Sequence, residues 1–276
     1  MDSELLGKDM FKVSHMVDES PKQEDFFLHA HVHYELYLFW SGDITFLVEG
    51  NSYTPTSGDI LLFNIGETHK AIINSDRPYE RTVIEMDKAL FSAIDTDGRL
   101  FSPFTEKQLG QDNSVAHNAL EKSIRNDCFK ILKNSADKLE RLSAIMFLLC
   151  EIGRVTDKMQ KFKEDTSLEI RIVKYINEHI TENISPKDIA DKFFISRTYL
   201  YSVFLKATGS NIHEYISAKR LILAHELLSN GQRPTDVYSM CGFNEYTTFY
   251  RAYKNRFGYS PKYTPRTTEP LKITTK

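Results

Sequence analysis

Two stretches near the C-terminal end place polar, aromatic and basic side chains on one face of a short helix. In ISPKDIADKFFISRTYLYSVFLKATG (residues 184–209), Arg197, Thr198, Tyr201 and Ser202 stay open when Tyr199, Leu200, Val203 and Phe204 turn inward. In RPTDVYSMCGFNEYTTFYRAYKNRFGYSP (233–261), Tyr246, Thr247, Tyr250 and Arg251 are open while Phe249 and Tyr253 point inward. Such donors and acceptors suit hydrogen bonding to base edges in a major groove, and Arg251 can engage a guanine through two donors. Lys206 and Lys254, nearer the helix ends, suit phosphates. A single polar helix face is ordinarily just solvated; two such faces in one chain argue otherwise. A different group lies upstream in HAHVHYELYLFWSG (29–42). Side chains alternate along a strand, so His29, His31, His33 and Glu35 share one face. Tyr37 and Phe39 continue that face, where they could stack on a sugar ring, and Val32, Leu36, Leu38 and Trp40 take the other. NIGETH ends at His69, 40 residues after His29.

The elements that must hold these groups are legible from capping and period. Ser185, Pro186 and Asp188 predict a capped helix start with Pro in the first turn. Ile189 and Ala190 face inward, Phe194 sits at the turn, and Ser196 caps the second helix. Residues 211–229 carry Tyr215, Ile216, Leu221, Ala224, Leu227 and Leu228 at helical spacing, predicting one helix that joins the two units. In the second unit Pro234 marks a helix start, Gly242 permits a turn with positive φ, and Asn244 is expected to cap the next helix. Reading two successive grooves from one face requires a separation of about 34 Å, one duplex turn.

Upstream, residues 26–87 read as strands broken by Ser41-Gly42-Asp43, Glu49-Gly50-Asn51 and Ser57-Gly58-Asp59, a small barrel or sandwich. From 89 to 159 the pattern is helical. Leu132, Leu139, Leu142, Met146 and Leu149 form a stripe that is either a dimer seam or the face packed on the barrel. The expected organisation is a barrel with an N-terminal arm (1–88, arm within 1–25), a helical segment (89–155), a charged linker (156–167), a helical domain (168–266) and a tail (267–276). The fold class is therefore α+β, a β-barrel followed by an all-α half.

Residues 166–276 hold 16 Lys+Arg against 10 Asp+Glu, a balance of +6; the remaining 19 and 28 give the first 165 residues −9. A basic half joined to an acidic one fits a phosphate-binding module attached to something that does not touch phosphate. Cys128, Cys150 and Cys241 sit among apolar neighbours, which predicts buried thiols and a reducing compartment. No apolar run reaches the roughly 18 residues of a membrane span, and MDSELLGKDMF has no signal-peptide pattern. A cytoplasmic protein is expected.

Residues 168–261 resemble the DNA-binding domain of the AraC family of transcription regulators. The match runs through Ile189-Ala190, Ser196, Phe204-Leu205-Lys206, Gly209, Arg220-Leu221, Ala224, Leu227-Leu228, Gly242-Phe243, Phe249, Arg251, Gly258 and Pro261. The resemblance implies two helix-turn-helix subdomains bridged by a long helix. It also implies binding to promoter DNA, often as an activator working with RNA polymerase, with Thr198, Ser202, Tyr246, Thr247 and Arg251 on bases. Two departures stand out: Val237-Tyr238 replaces the usual Ile-Ala, and the residues after Pro261 read Lys-Tyr-Thr-Pro-Arg. A tyrosine at that packing position should separate or repack the helices.

The upstream half resembles the cupin β-barrel. His29, His31, Glu35 and Gly42 match its first motif, and Gly58, Gly66 and His69 its second, with Asn64 in place of a Pro. The resemblance implies a divalent metal (Zn, Fe, Mn or Ni) on His29, His31, Glu35 and His69, or a metal-free pocket in which His29, His31, His33, Glu35, Tyr37, Phe39 and His69 bind a small effector, with a carbohydrate favoured. The leading function is a homodimeric, non-catalytic, metabolite-responsive regulator. The alternatives are a metal-dependent cupin enzyme fused to a DNA-binding domain and a ligand-independent DNA-binding regulator.

Overall fold

The computed structural model describes residues 10–91, 94–156 and 167–265. The expected linker, apart from Thr156 and Ser167, the first nine residues of the arm and the tail 267–276 lie outside the described residues. The arm that is described contributes β1 (Phe11–Asp18), paired antiparallel with β7 (Tyr79–Met86).

Two antiparallel sheets build the N-terminal half. One has the order β1-β7-β2-β5-β8, with β2 Tyr34–Ser41, β5 Ile60–Phe63 and β8 Ser114–Val115. The other is β4-β3-β6, with β3 Ile44–Val48, β4 Asn51–Tyr53 and β6 His69–Ile73. The apolar run 36–40 of β2 is explained by burial of both faces. Tyr37 and Phe39 enter the core between the sheets with Phe46, Phe63 and Tyr79. Leu36 and Leu38 face the other way, into a core closed by α1 (Ser102–Thr105), α2 (Lys122–Asn134) and α3 (Lys138–Thr156).

Three expectations for this half change. Residues 89–155 are not wholly helical, because β8 completes the larger sheet by pairing Val115 with Ile60. The leucine stripe is split at Ser135–Asp137, where Asp137 Oδ1 accepts from the amides of Leu139 and Glu140 and so starts α3. Leu132 and Leu149 are buried, whereas Leu139, Met146 and Phe147 are exposed. Cys128 and Cys241 are buried as expected, but Cys150 is exposed.

The C-terminal half is all-α: α4 Leu168–Glu178, α5 Pro186–Lys192, α6 Arg197–Thr208, α7 Ile212–Ser229, α8 Pro234–Met240 and α9 Tyr246–Phe257. Ser185 and Asp188 form a reciprocal capping box on α5, and Ser196 caps α6. Asn211 caps α7, which runs unbroken between two cores. Asn244 is not a cap: α9 starts after Glu245, whose side chain makes no capping bond. Arg220 on α7 donates to the carbonyls of Ile180 (2.8 Å) and Glu182 (2.6 Å), tying the bridging helix to the α4–α5 link.

His225 of α7 is 4% exposed, with Tyr259 Oη 3.2 Å from Nε2 and Ser229 Oγ 3.3 Å from Nδ1. Burial, helped by Lys88, pushes its pKa down to about 4. A depressed imidazole pKa means the unfolded chain takes up the proton first. Its contribution is complete above the ordinary value near 6.5 and is lost as pH falls towards 4, about 3 kcal/mol in all. Urea titrations across that window should show this loss, and His225→Phe should flatten it.

Candidate effector pocket and nucleic-acid interface

The four residues of the predicted cluster converge. His29 pairs with His69 through two backbone hydrogen bonds (3.1 and 2.9 Å), fixing segment 27–31 against the start of β6. Ring centroids lie 4.4 Å apart for His29 and His69, 4.8 Å for His29 and His31, and 5.2 Å for His31 and His69. Glu35 Oε2 is 2.6 Å from His31 Nε2 and 3.6 Å from His69 Nε2. His69 lies flat on Phe63, with centroids 3.9 Å apart. His29, His31, Glu35 and His69 line a cavity of about 230 Å³ together with Phe26, Tyr37, Phe46, Tyr79 and Arg81. Arg81 pairs with Asp18 and lies over the Tyr79 ring, 4.5 Å from its centroid.

Two predicted members stand apart. Phe39 is buried in the inter-sheet core and is not among the cavity-lining residues, because the twist of β2 carries it beyond the histidines. It is removed from the effector set. His33 lies in the bend at residues 32 and 33; it stacks on His31 (4.6 Å) and turns to Glu85, 3.4 Å away, instead of lining the cavity.

Burial holds His29 well below the usual imidazole range and lowers His31 as well, so both are neutral at neutral pH. Burial alone would raise Glu35, but its close approach to the His31 and His69 imidazoles outweighs this, and it remains a carboxylate. Neutral imidazoles with a carboxylate are the protonation states a divalent ion requires. His31 and His69 also keep Nε2 buried without an aligned hydrogen-bond partner. The donor set therefore fits a metal as well as a polar ligand. His31, His33 and Glu85 form a second, partly exposed group of the same kind.

The back of the histidine segment belongs to the other half of the molecule. Leu28 packs against the core of α4–α7, and Ala30 and Val32 lie in the core of α7–α9. Arg256 of α9 donates to the Ala30 carbonyl. Period-two alternation thus puts His29 and His31 on the pocket and Leu28, Ala30 and Val32 on the helices. Val32 was expected beside Leu36 and Leu38; the bend before β2 sends it to the helical half instead.

A second contact centres on Glu49, which residue types alone did not single out. With Gly50 it makes the two-residue β3–β4 turn, at φ 48 and 90, the positive pair such hairpins need. Its side chain is buried and accepts from Thr68, Asn177 (2.9 Å), Tyr215 and Lys219 (2.6 Å). Lys219 also donates to the Gly66 carbonyl (2.7 Å), and Lys70 to that of Gly209 (3.0 Å). Apart from Thr68 and Glu49, these partners are more than a hundred positions apart. The one local clue was an acidic residue where hairpins usually place Asn or Asp.

On the helices, Arg197, Thr198, Tyr201, Ser202 and Lys206 of α6 are exposed, as are Tyr246, Thr247, Arg251 and Lys254 of α9; Tyr250 is half-buried. Tyr199, expected inside, is 51% exposed, so it joins the open face while Leu200, Val203 and Phe204 fill the core. Tyr238 does not enter the core beside the fully buried Val237. It is half-buried and meets Tyr246 edge-on at 5.8 Å, propping the first turn of α9.

Comparison with known proteins agrees with this division. A model of the AraC-like ligand binding domain matches residues 16–149, and a helix-turn-helix domain model matches 189–266. The chain is 28% identical over 133 residues to the probable transcriptional regulator LumQ of Photobacterium leiognathi, covering 48% of this chain and 54% of LumQ. It is 35% identical over 92 residues to the Msm operon regulatory protein of Streptococcus mutans, a third of each chain (33% and 33%). It thus spans about half or less of those two relatives. Identity to the HTH-type transcriptional activator RhaS of Citrobacter koseri is 22% over 240 residues, 85% of each chain. With an AraC-like ligand-binding domain ahead of an AraC-type helix-turn-helix domain, the chain belongs to the AraC family of DNA-binding transcription regulators.

Proposed function

We propose that this protein regulates transcription by reading promoter DNA through α6 and α9 under the control of a small polar effector held in the histidine pocket. The observation that carries the reading is the placement of two exposed, basic-edged reading faces on either side of one uninterrupted bridging helix. Thr198, Ser202, Tyr246, Thr247 and Arg251, with Arg197, Tyr201 and Tyr250 beside them, meet base edges; Lys206 and Lys254 meet phosphates. The aromatic wall of Phe26, Tyr37 and Tyr79 favours a carbohydrate-sized metabolite, stacked on a ring and bonded by the polar floor. The protein works in the cytoplasm as an activator that engages RNA polymerase. Among the described residues no helix is long and apolar enough to cross a membrane. The role is non-catalytic: the pocket wall is also the domain boundary, which suits transmission of occupancy.

Contrasting variants test the reading. Arg251→Ala should cost about 1–3 kcal/mol on the preferred site and relax preference at one base position. Lys254→Ala should weaken every sequence alike and lower the salt slope by about one. Fluorescence anisotropy across a panel of sites measures both. Equal losses on all sequences from Arg251→Ala would remove its role on bases.

A homodimer is the second part of the proposal, formed through the α3 face that exposes Leu139, Met146 and Phe147. Phe147→Glu should shift the chain to monomer in sedimentation experiments, and a dimer that survives it would place the interface elsewhere.

A further inference from the structure

α6 and α9 repeat each other at a constant offset. Each has 12 residues, and each ends on a left-handed glycine, Gly209 or Gly258. The offset is 49 residues, from Arg197 to Tyr246 and from Gly209 to Gly258. It carries the buried Leu200 and Phe204 of α6 onto the buried Phe249 and Tyr253 of α9. The exposed sides can therefore be compared position by position.

Leu200, Val203, Phe204 and Ala207 form the inward side of α6. At about 3.6 residues per turn, the side facing away is Thr198, Tyr201, Ser202 and Leu205, spaced i, i+3, i+4 and i+7. All four are exposed. Leu205, outside the set assigned to bases above, is 54% exposed and completes that stripe. The matching stripe on α9 is Thr247, Tyr250, Arg251 and Lys254. The first two positions agree in residue type. At the last two, α9 carries cations where α6 carries a serine and a leucine, so the α6 stripe holds no charged side chain.

A single exposed leucine is ordinary on a protein surface. This one stands where the twin helix has lysine, on the face that meets DNA. A leucine can neither neutralise a phosphate nor hydrogen-bond a base edge. The apolar group that a major groove presents is the thymine C5-methyl, which the other three bases lack.

We propose that α6 selects thymine by its C5-methyl, with Leu205 packing on that methyl beside the Thr198 methyl and the Tyr201 ring. The inference rests on the DNA-reading function proposed above and divides the work between the two helices. α9 reads guanine by hydrogen bonds from Arg251; α6 reads thymine by apolar contact, and Lys206 at the flank of its stripe holds the phosphate. Burial of one methyl between protein and base is worth about fourfold in affinity.

The test replaces the thymines of a selected site by uracil, one at a time, and measures binding by the full-length chain. Uracil keeps every hydrogen-bonding group of thymine and lacks only the methyl. In the block whose preference survives Arg251→Ala, at least one thymine should weaken binding about fourfold when it becomes uracil. Leu205→Ala should bind the thymine site about fourfold more weakly and no longer distinguish the two bases at that position. Arg251→Ala should keep the distinction. Alanine favours an exposed helix position, so the variant retains its fold, which circular dichroism checks. A first block with no uracil-sensitive thymine overturns the methyl reading. Sensitivity that persists undiminished in Leu205→Ala overturns the role of Leu205. Binding without sequence preference, evident before any uracil is introduced, contradicts the regulator reading itself and the methyl reading with it.

Discussion

Lys219→Met is expected to lower the stability of the docked protein by about 3–5 kcal/mol, because it strands a buried carboxylate. Glu49 is 3% exposed and sits 2.6 Å from the Lys219 ammonium. Burial pushes Glu49 up, but Lys219 and the hydroxyl and amide donors around it outweigh that and lower its pKa. A depressed carboxylate pKa gives stability that is present above the ordinary value and lost as pH falls through the folded one. The two halves should therefore loosen in acid, and Lys219→Met should reproduce part of that at neutral pH. Calorimetry would show it as a lower Tm or as separate unfolding of the two halves. Glu49→Gln combined with Lys219→Met should cost less than the sum of the two single changes, since neither charge is then stranded. A loss under about 1 kcal/mol from Lys219→Met would mean the pair behaves as a solvated surface bridge.

Gly242→Ala carries the second large effect. Gly242 turns at φ +81, and an added Cβ would lie 2.7 Å from the Thr181 carbonyl oxygen and 2.9 Å from its carbon. Both contacts are backbone, in the α4–α5 link that Arg220 also grips. Left-handed strain of about 1 kcal/mol and overpacking of about 1–3 kcal/mol together predict a loss of roughly 2–4 kcal/mol. Gly231 is the control: its φ is +86 with open space around it, so Gly231→Ala should show the strain alone. Because the turn abuts the first unit, Gly242→Ala should also disturb the spacing of the two readers. Site selection would then recover the first block of the site and lose the second. Equal costs for the two glycine variants would show that the α4–α5 link yields.

What the sequence revealed depended on the range of the interactions. The capping box of Ser185 and Asp188, the Ser196 cap and the Gly242 turn are set within a few residues, and each lies where its residue type directs. His29, His31, Glu35 and His69 were legible because strand alternation and one motif spacing fix their common face. Tyr199 was misplaced because it adjoins the inward Leu200, and a period of 3.6 leaves such a boundary residue undecided. β8 was invisible because two residues carry no period. The break between α2 and α3 was legible in Asp137, which serves as a cap, but the leucine spacing masked it. Glu49 with Asn177, Tyr215 and Lys219 lay beyond reach, since burial of a charge between two halves leaves no local pattern. Val32 shows the same limit: alternation gives its face but not the body that face will meet.

Selection of bound fragments from random-sequence DNA by the purified full-length chain at physiological salt tests the central claim most directly. The account predicts a site of two blocks centred about one duplex turn, 10–10.5 base pairs, apart, with Arg251→Ala losing preference in one block only. Recovery without sequence preference would contradict it.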